Sequence, residues 1–102
     1  MNKTIQTSRY NASDYLKTPA DRESYLQAAF ADGDPQVITR ALGDVAKAQN
    51  VTQLAKNAQI NRAHLYRALS NKGDPHLSTL SKIIKALGYK LDITKSASPQ
   101  LS

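Results

Sequence analysis

The sequence predicts an all-α fold: five short helices around one core, with a candidate short C-terminal strand. Three observations carry that expectation. Apolar residues recur at helical spacing in five separate stretches. Four of those stretches open on capping chemistry, at Thr18-Pro19, Asp34-Pro35, Thr52 and Asn61. Only Tyr89-Lys90-Leu91-Asp92-Ile93 alternates apolar and polar residues with the period of a strand.

Residues 1–13 are polar and show no period, so they read as a flexible lead-in. Asp14-Tyr15-Leu16 reads as the anchor of that extended lead-in. Thr18 is the expected N-cap of the first helix, with Pro19 at its first position and Asp21 in its first turn. Tyr25, Leu26, Ala29 and Phe30 form its apolar face, and Asp32-Gly33 ends it. Asp34-Pro35 starts a second helix that runs to about Gln49 with Val37, Ile38, Ala41, Leu42 and Val45 inward. Gly43 weakens that helix by roughly 1 kcal/mol relative to alanine and permits close packing.

Thr52 is the expected cap of a short third helix bearing Leu54, Ala55 and Ala58. Gln59-Ile60 form a turn, and Asn61 caps a fourth helix with Leu65, Ala68 and Leu69. Residues 70–75, Ser-Asn-Lys-Gly-Asp-Pro, are loop chemistry. A fifth helix spans about Leu77 to Leu87 with Leu80, Ile83, Ile84 and Leu87 as its stripe, and Gly88 stops it. Residues 94–102 read as a frayed tail, which leaves 14–93 as a single helical domain.

Composition narrows the function. The 102 residues include no cysteine, so disulfides, thiolate zinc sites and cysteine nucleophiles are excluded. No apolar run has signal-peptide length or approaches the roughly 20 residues that span a bilayer, so a soluble cytoplasmic protein is expected. The net charge of +6 is unevenly placed. Residues 1–33 are neutral overall, residues 34–93 carry +5, and Lys95 supplies the remainder. Positive charge gathers where the helix-turn-helix pattern lies, which is compatible with a polyanionic partner, although on charge alone ordinary solvation is the commoner reading.

The informative segment is Thr52 to Leu69. Two capped short helices joined by a three- to four-residue turn have the dimensions of a helix-turn-helix. Small Ala55 allows a close crossing, Leu54 and Ile60 pack beneath, and Leu65 and Leu69 turn inward. Arg62, Ala63, Tyr66 and Arg67 are left on the outer face of the second helix, with Asn61 at its start and His64 at one edge. Arginine bonds the guanine edge in bidentate fashion, and alanine permits close approach in the major groove. Gln53, Lys56 and Lys72 are candidate phosphate contacts.

These marks resemble the lambda-repressor-like (XRE-type) helix-turn-helix family over about Val45 to Leu91. They are Thr52-Gln53-x-Leu-Ala, Ile60-Asn61-Arg62, Leu65-Tyr66-Arg67-Ala68-Leu69, Leu77-x-Thr79-Leu80-x-Lys82-Ile83 and Ala86-Leu87-Gly88. Asp14-Tyr15-Leu16, Ala20-Asp21-Arg22, Tyr25-Leu26 and Gly33-Asp34 extend the likeness to HigA-like addiction module antidote proteins over about Tyr15 to Ile93. That resemblance implies an antitoxin that neutralises a RelE/HigB-like ribonuclease toxin and represses their shared operon. It assigns Gln53 to phosphate and Arg62, Ala63 and Arg67 to bases. Many relatives carry Ser and Glu where this chain has Asn61 and Ala63-His64, which leaves the operator sequence open.

Other residues have plainer readings. His64 and His76 are too few for a metal site, and His76 lies in a loop. Asp21 and Glu23 complement a helix dipole without any accompanying nucleophile or phosphate loop, so no enzyme and no cofactor is expected. The expected partners are double-stranded operator DNA, the toxin, and a second copy in a homodimer paired through Leu87 to Ile93. The toxin is expected on Tyr10 to Phe30. A free-standing repressor without a toxin, and an interaction module that has lost DNA binding, remain the rivals at this level.

Overall fold

The computed structural model describes residues 15–70 and 72–96. Among them are five helices and no strand: α1 Pro19–Asp32, α2 Pro35–Ala48, α3 Val51–Ala58, α4 Arg62–Ala68 and α5 Leu77–Ala86. The expected flexible segment 1–13 and most of the expected tail, 97–102, lie outside the described residues.

Local chemistry sets most of the helix ends. Thr18 Oγ1 accepts from the Asp21 N–H at 3.1 Å, and Pro19 occupies the first turn of α1. Gly33 ends α1 with φ 83°, and its N–H donates to Ala29 O. Asp34 Oδ1 then accepts from the Gln36 N–H at 2.9 Å and opens α2. The cap of α3 differs from the sequence expectation. Asn50, not Thr52, is the N-cap, and its Oδ1 accepts from the Gln53 N–H at 3.0 Å. The shift has a simple cause: asparagine caps at least as well as threonine, and an earlier start adds Val51 to the helix. Asn61 caps α4 as expected, accepting from the His64 N–H at 3.1 Å.

Two clusters of buried side chains form the core. The first joins Leu16, Leu26, Ala29, Ala41, Leu42, Val45 and Ile84, and brings α1 against α2. The second joins Ala46, Leu54, Ala55, Leu65 and Ile83, and brings α3 against α5 and α4. Leu69 and Leu87 touch both clusters. Leu42, Leu65, Ile83 and Val45 are the largest side chains sealed from solvent. Burial of this kind is worth roughly 1.5–3 kcal/mol per large aliphatic side chain. Val37 departs from its expected inward position and is 40% exposed.

Gly43 provides the close approach that its position suggested. A Cβ there would lie 3.2 Å from Leu69 O and 3.7 Å from Leu69 Cβ, so α2 and the end of α4 meet with little spare room.

The C-terminal strand is not formed. Residues 89–96 belong to no helix or strand. The alternation at Tyr89 to Ile93 is present in sequence, but no second strand exists among the described residues to complete a ladder. The Tyr89 N–H donates to Ile84 O at 3.0 Å and holds the start of this segment to α5.

Candidate functional site

The site is built around a tight joint. At the end of α3, Gln59 adopts the left-handed conformation with φ 59° and ψ 44°. Its N–H donates to Lys56 O at 3.1 Å, and the Ile60 N–H reaches back to Ala55 O at 2.9 Å. These bonds satisfy carbonyls that the helix end leaves open, and α4 begins only three residues after α3 ends. Half-buried Ile60 packs on the second core cluster, and Asn61 starts α4 at once.

One face of α4 is pinned to that core. Leu65 is 1% exposed and Ala68 is buried beside it. At roughly 100° per residue, Ala63 and Arg67 then point most directly outward. Arg62 and Tyr66 flank them on one side and His64 on the other. Asn61, Arg62, Ala63, His64, Tyr66 and Arg67 are all exposed. Gln53 and Lys56 on α3, and Lys72 beyond α4, are exposed as well.

Several of these side chains already have partners. The Arg62 guanidinium lies 5.7 Å from the centroid of the Tyr66 ring, one helical turn away. The ring restricts the freedom of the arginine without using its donors. Gln53 donates from Nε2 to Asn57 Oδ1 at 3.0 Å, while its backbone N–H is taken by the Asn50 cap. The Gln53 backbone N–H is therefore not free to bind an anion, and its side-chain Oε1 and second amide hydrogen remain. Asn61 is likewise committed through Oδ1, which leaves its Nδ2 to donate outward.

Gly73 holds the Lys72 loop against α4. Its N–H donates to Ser70 O at 2.9 Å, and a Cβ at this position would fall 2.2 Å from Ala68 O. Only glycine fits that approach, so Lys72 is carried on a loop docked to the C-terminal end of α4. The sequence marked this loop by its breaker residues but did not reveal the docking, which depends on a distance between backbones.

A second feature lay beyond sequence reasoning. An open groove of about 730 Å³ runs between α1 and the chain after α5. Leu26, Phe30, Leu42, Ile84, Tyr89 and Leu91 supply its apolar lining, with Glu23 and Gln27 on the α1 side. The periodicity of α1 did mark Leu26 and Phe30 as inward residues. That the segment after Gly88 would wall off a groove needed the fold.

Among the described residues no helix is long and apolar enough to cross a membrane. Nor do they contain a group of three or more His, Asp or Glu side chains placed to hold a metal ion.

Comparison with known proteins places this arrangement in a family. A family model described as "Probable addiction module antidote protein" matches residues 6–95. An uncharacterized protein of Haemophilus influenzae is 33% identical over 93 residues, covering 91% of this chain and 96% of that protein. No solved structure matches the chain. The family match spans all five helices and the segment after them, and the chain belongs to the addiction module antidote proteins.

Proposed function

We propose that the protein is the antitoxin of a type II toxin–antitoxin module, HigA-like in organisation, acting by binding and not by catalysis. It masks a RelE/HigB-like ribonuclease toxin in the cytoplasm and represses its own operon through a lambda-repressor-like helix-turn-helix formed by α3 and α4. The observation that carries the reading is the family match across residues 6–95, which takes in both the helix pair and α1. The outward face of α4 supports the DNA half. It presents two arginines, a small residue at the point of closest approach, and flanking cations on α3 and the Lys72 loop.

In this reading Arg62, Ala63 and Arg67 face base edges, and His64 lies at the margin of the groove. Gln53, Asn61 and Lys72 meet phosphates. Tyr66 holds Arg62 in place and is exposed enough to reach the backbone itself. One short helix spans few base pairs, so a homodimer reads two half-sites about 34 Å apart. Toxin binding falls on Tyr10 to Phe30, whose described part is largely α1. The domain of 14–93 thus separates its partners: nucleic acid on α3–α4, toxin on α1.

The test is co-expression of tagged full-length protein with the adjacent small reading frame, scored by complex capture and by rescue of growth. A stable complex with rescue is the expected result. Binding of the upstream DNA with neither complex nor rescue removes the toxin from the account and leaves a repressor.

A further inference from the structure

Beyond Tyr89 the backbone of residues 90–94 makes no backbone–backbone hydrogen bond among the described residues. Its sequence nevertheless keeps the alternation of a strand, although Lys90, Leu91, Asp92 and Thr94 all line the groove in the monomer. Half-buried Tyr89 packs against the first core cluster, Leu91 lines the groove and is 42% exposed, and Ile93 stands 92% exposed. Lys90 and Asp92, both exposed, fall between them with opposite charge. An unsatisfied edge with an apolar row and a balanced polar row invites pairing with another strand.

We propose that residues 89–93 pair with the same residues of a second copy, as a two-stranded antiparallel ribbon whose twofold axis passes through Leu91. The inference rests on the homodimer of the proposed function and specifies its interface and register.

The sequence is self-complementary in that register. Leu91 meets its own counterpart, Tyr89 meets Ile93 of the second copy, and Lys90 meets Asp92 twice over. Apolar residues therefore share one face, and opposite charges face each other across the strands on the other. A register shifted by one residue would mix the faces and lose both charge pairs.

The existing hydrogen bonds choose between the two ways such a ribbon can be drawn. Antiparallel pairs alternate between those that exchange both backbone bonds and those that exchange none. The Tyr89 N–H is already held by Ile84 O, and the Ile93 N–H by Asp92 Oδ1 at 2.8 Å. Both are odd-numbered positions. The backbone groups of Lys90 and Asp92 are the ones left to bond, so these two residues form the hydrogen-bonded pair. Leu91 and its counterpart then form the closer, non-bonded pair. Asp92 keeps Oδ2 free for the facing lysine.

An isolated two-stranded ribbon is marginal in water, so it needs a surface to lie on. The groove beside α1 supplies it. Ile93 extends beyond its own helices and, opposite Tyr89 of the second copy, lies over apolar residues that the monomer leaves open to solvent.

The chain has no cysteine, so single cysteines can report the register in the full-length protein. Under mild oxidation Leu91→Cys is expected to give a reducible covalent dimer. Its two Cα atoms would sit about 4.5 Å apart, within disulfide reach. Lys90→Cys and Asp92→Cys, each about 8 Å from its own counterpart, are expected to cross-link poorly alone. The second arm uses charge. Lys90→Asp is expected to raise the dimer dissociation constant about tenfold by facing like charges, and Lys90→Asp combined with Asp92→Lys to restore it. Sedimentation equilibrium measures both. A monomeric wild type, equal cross-linking at all three positions, or a dimer indifferent to Lys90→Asp overturns the ribbon. Toxin capture and growth rescue by that same protein would leave the antitoxin reading standing, whereas loss of capture with an intact ribbon would overturn that reading alone.

Discussion

The Tyr25 hydroxyl donates to Asp44 Oδ2 at 2.5 Å and so fastens α1 to α2 at a half-buried site. It is the polar counterpart of the apolar packing among Leu26, Ala29, Leu42 and Val45. A hydrogen bond to a charged acceptor contributes more than a neutral one, about 1.5–3 kcal/mol. Tyr25→Phe keeps the ring and removes the donor. Urea unfolding should show a loss of about 1–2 kcal/mol, at the lower end because the site is partly exposed. If the variant is as stable as the wild type, the bond is not holding the helices together.

At the joint between α3 and α4, Gln59 occupies a left-handed conformation that disfavours any side chain with a Cβ. Glycine adopts it freely, although it loses more entropy on folding. Gln59→Gly is therefore expected to stabilise the protein by about 0.5–1 kcal/mol, read as a raised denaturation midpoint with an unchanged slope. A lowered midpoint would mean that the Gln59 side chain contributes something its geometry does not display.

The proposed operator binding predicts two kinds of contact that experiment can separate. Arg62→Ala should cost about 1–3 kcal/mol on the cognate site and much less on unrelated DNA, as expected for a lost base contact. Lys72→Ala should weaken all sequences alike and reduce the slope of log affinity against log salt by about 1. Fluorescence anisotropy across a salt series distinguishes them. Equal effects of Arg62→Ala on both DNAs would place that arginine on the phosphates.

The Lys72 loop depends on Gly73. Gly73→Ala forces a Cβ to within 2.2 Å of the Ala68 carbonyl oxygen, a contact that backbone must move to relieve. A loss of at least about 1 kcal/mol in stability is expected, within the range of overpacking effects. DNA affinity should fall further than Lys72→Ala lowers it, because the whole loop shifts. A crystal structure of the variant with an unmoved loop would contradict this account.

The helices were legible in the sequence because their signals are local. Thr18, Asp34 and Asn61 each cap the next helix in the chain, and the inward residues of α4 and α5 repeat at helical spacing. The start of α3 was misplaced because Asn50 and Thr52 are both competent caps, and the choice depends on how Val51 packs. The alternation at Tyr89 to Ile93 was visible, but a strand is defined by a partner, and no local pattern supplies one. On α4 the outward residues could be read from the positions of Leu65 and Ala68. The stacking of Arg62 on Tyr66 follows from their spacing of four, which the composition of the face had obscured. The Asn50 bond to the Gln53 N–H was hidden with the true cap. The groove beside α1 joins residues more than sixty positions apart, and no pattern in one sequence reports it.

Leu69 and Leu87 each pack against both core clusters and so couple the two halves of the protein. The two clusters should therefore melt as one transition. This has a practical consequence for every assay of the two proposed activities. If both proposed activities hold, a substitution that merely weakens α1 enough to deplete the folded population will lower DNA binding by the same factor as toxin binding. Only variants that change the ratio of the two affinities report on an interface, and the folded fraction has to be divided out before either number is assigned to a residue.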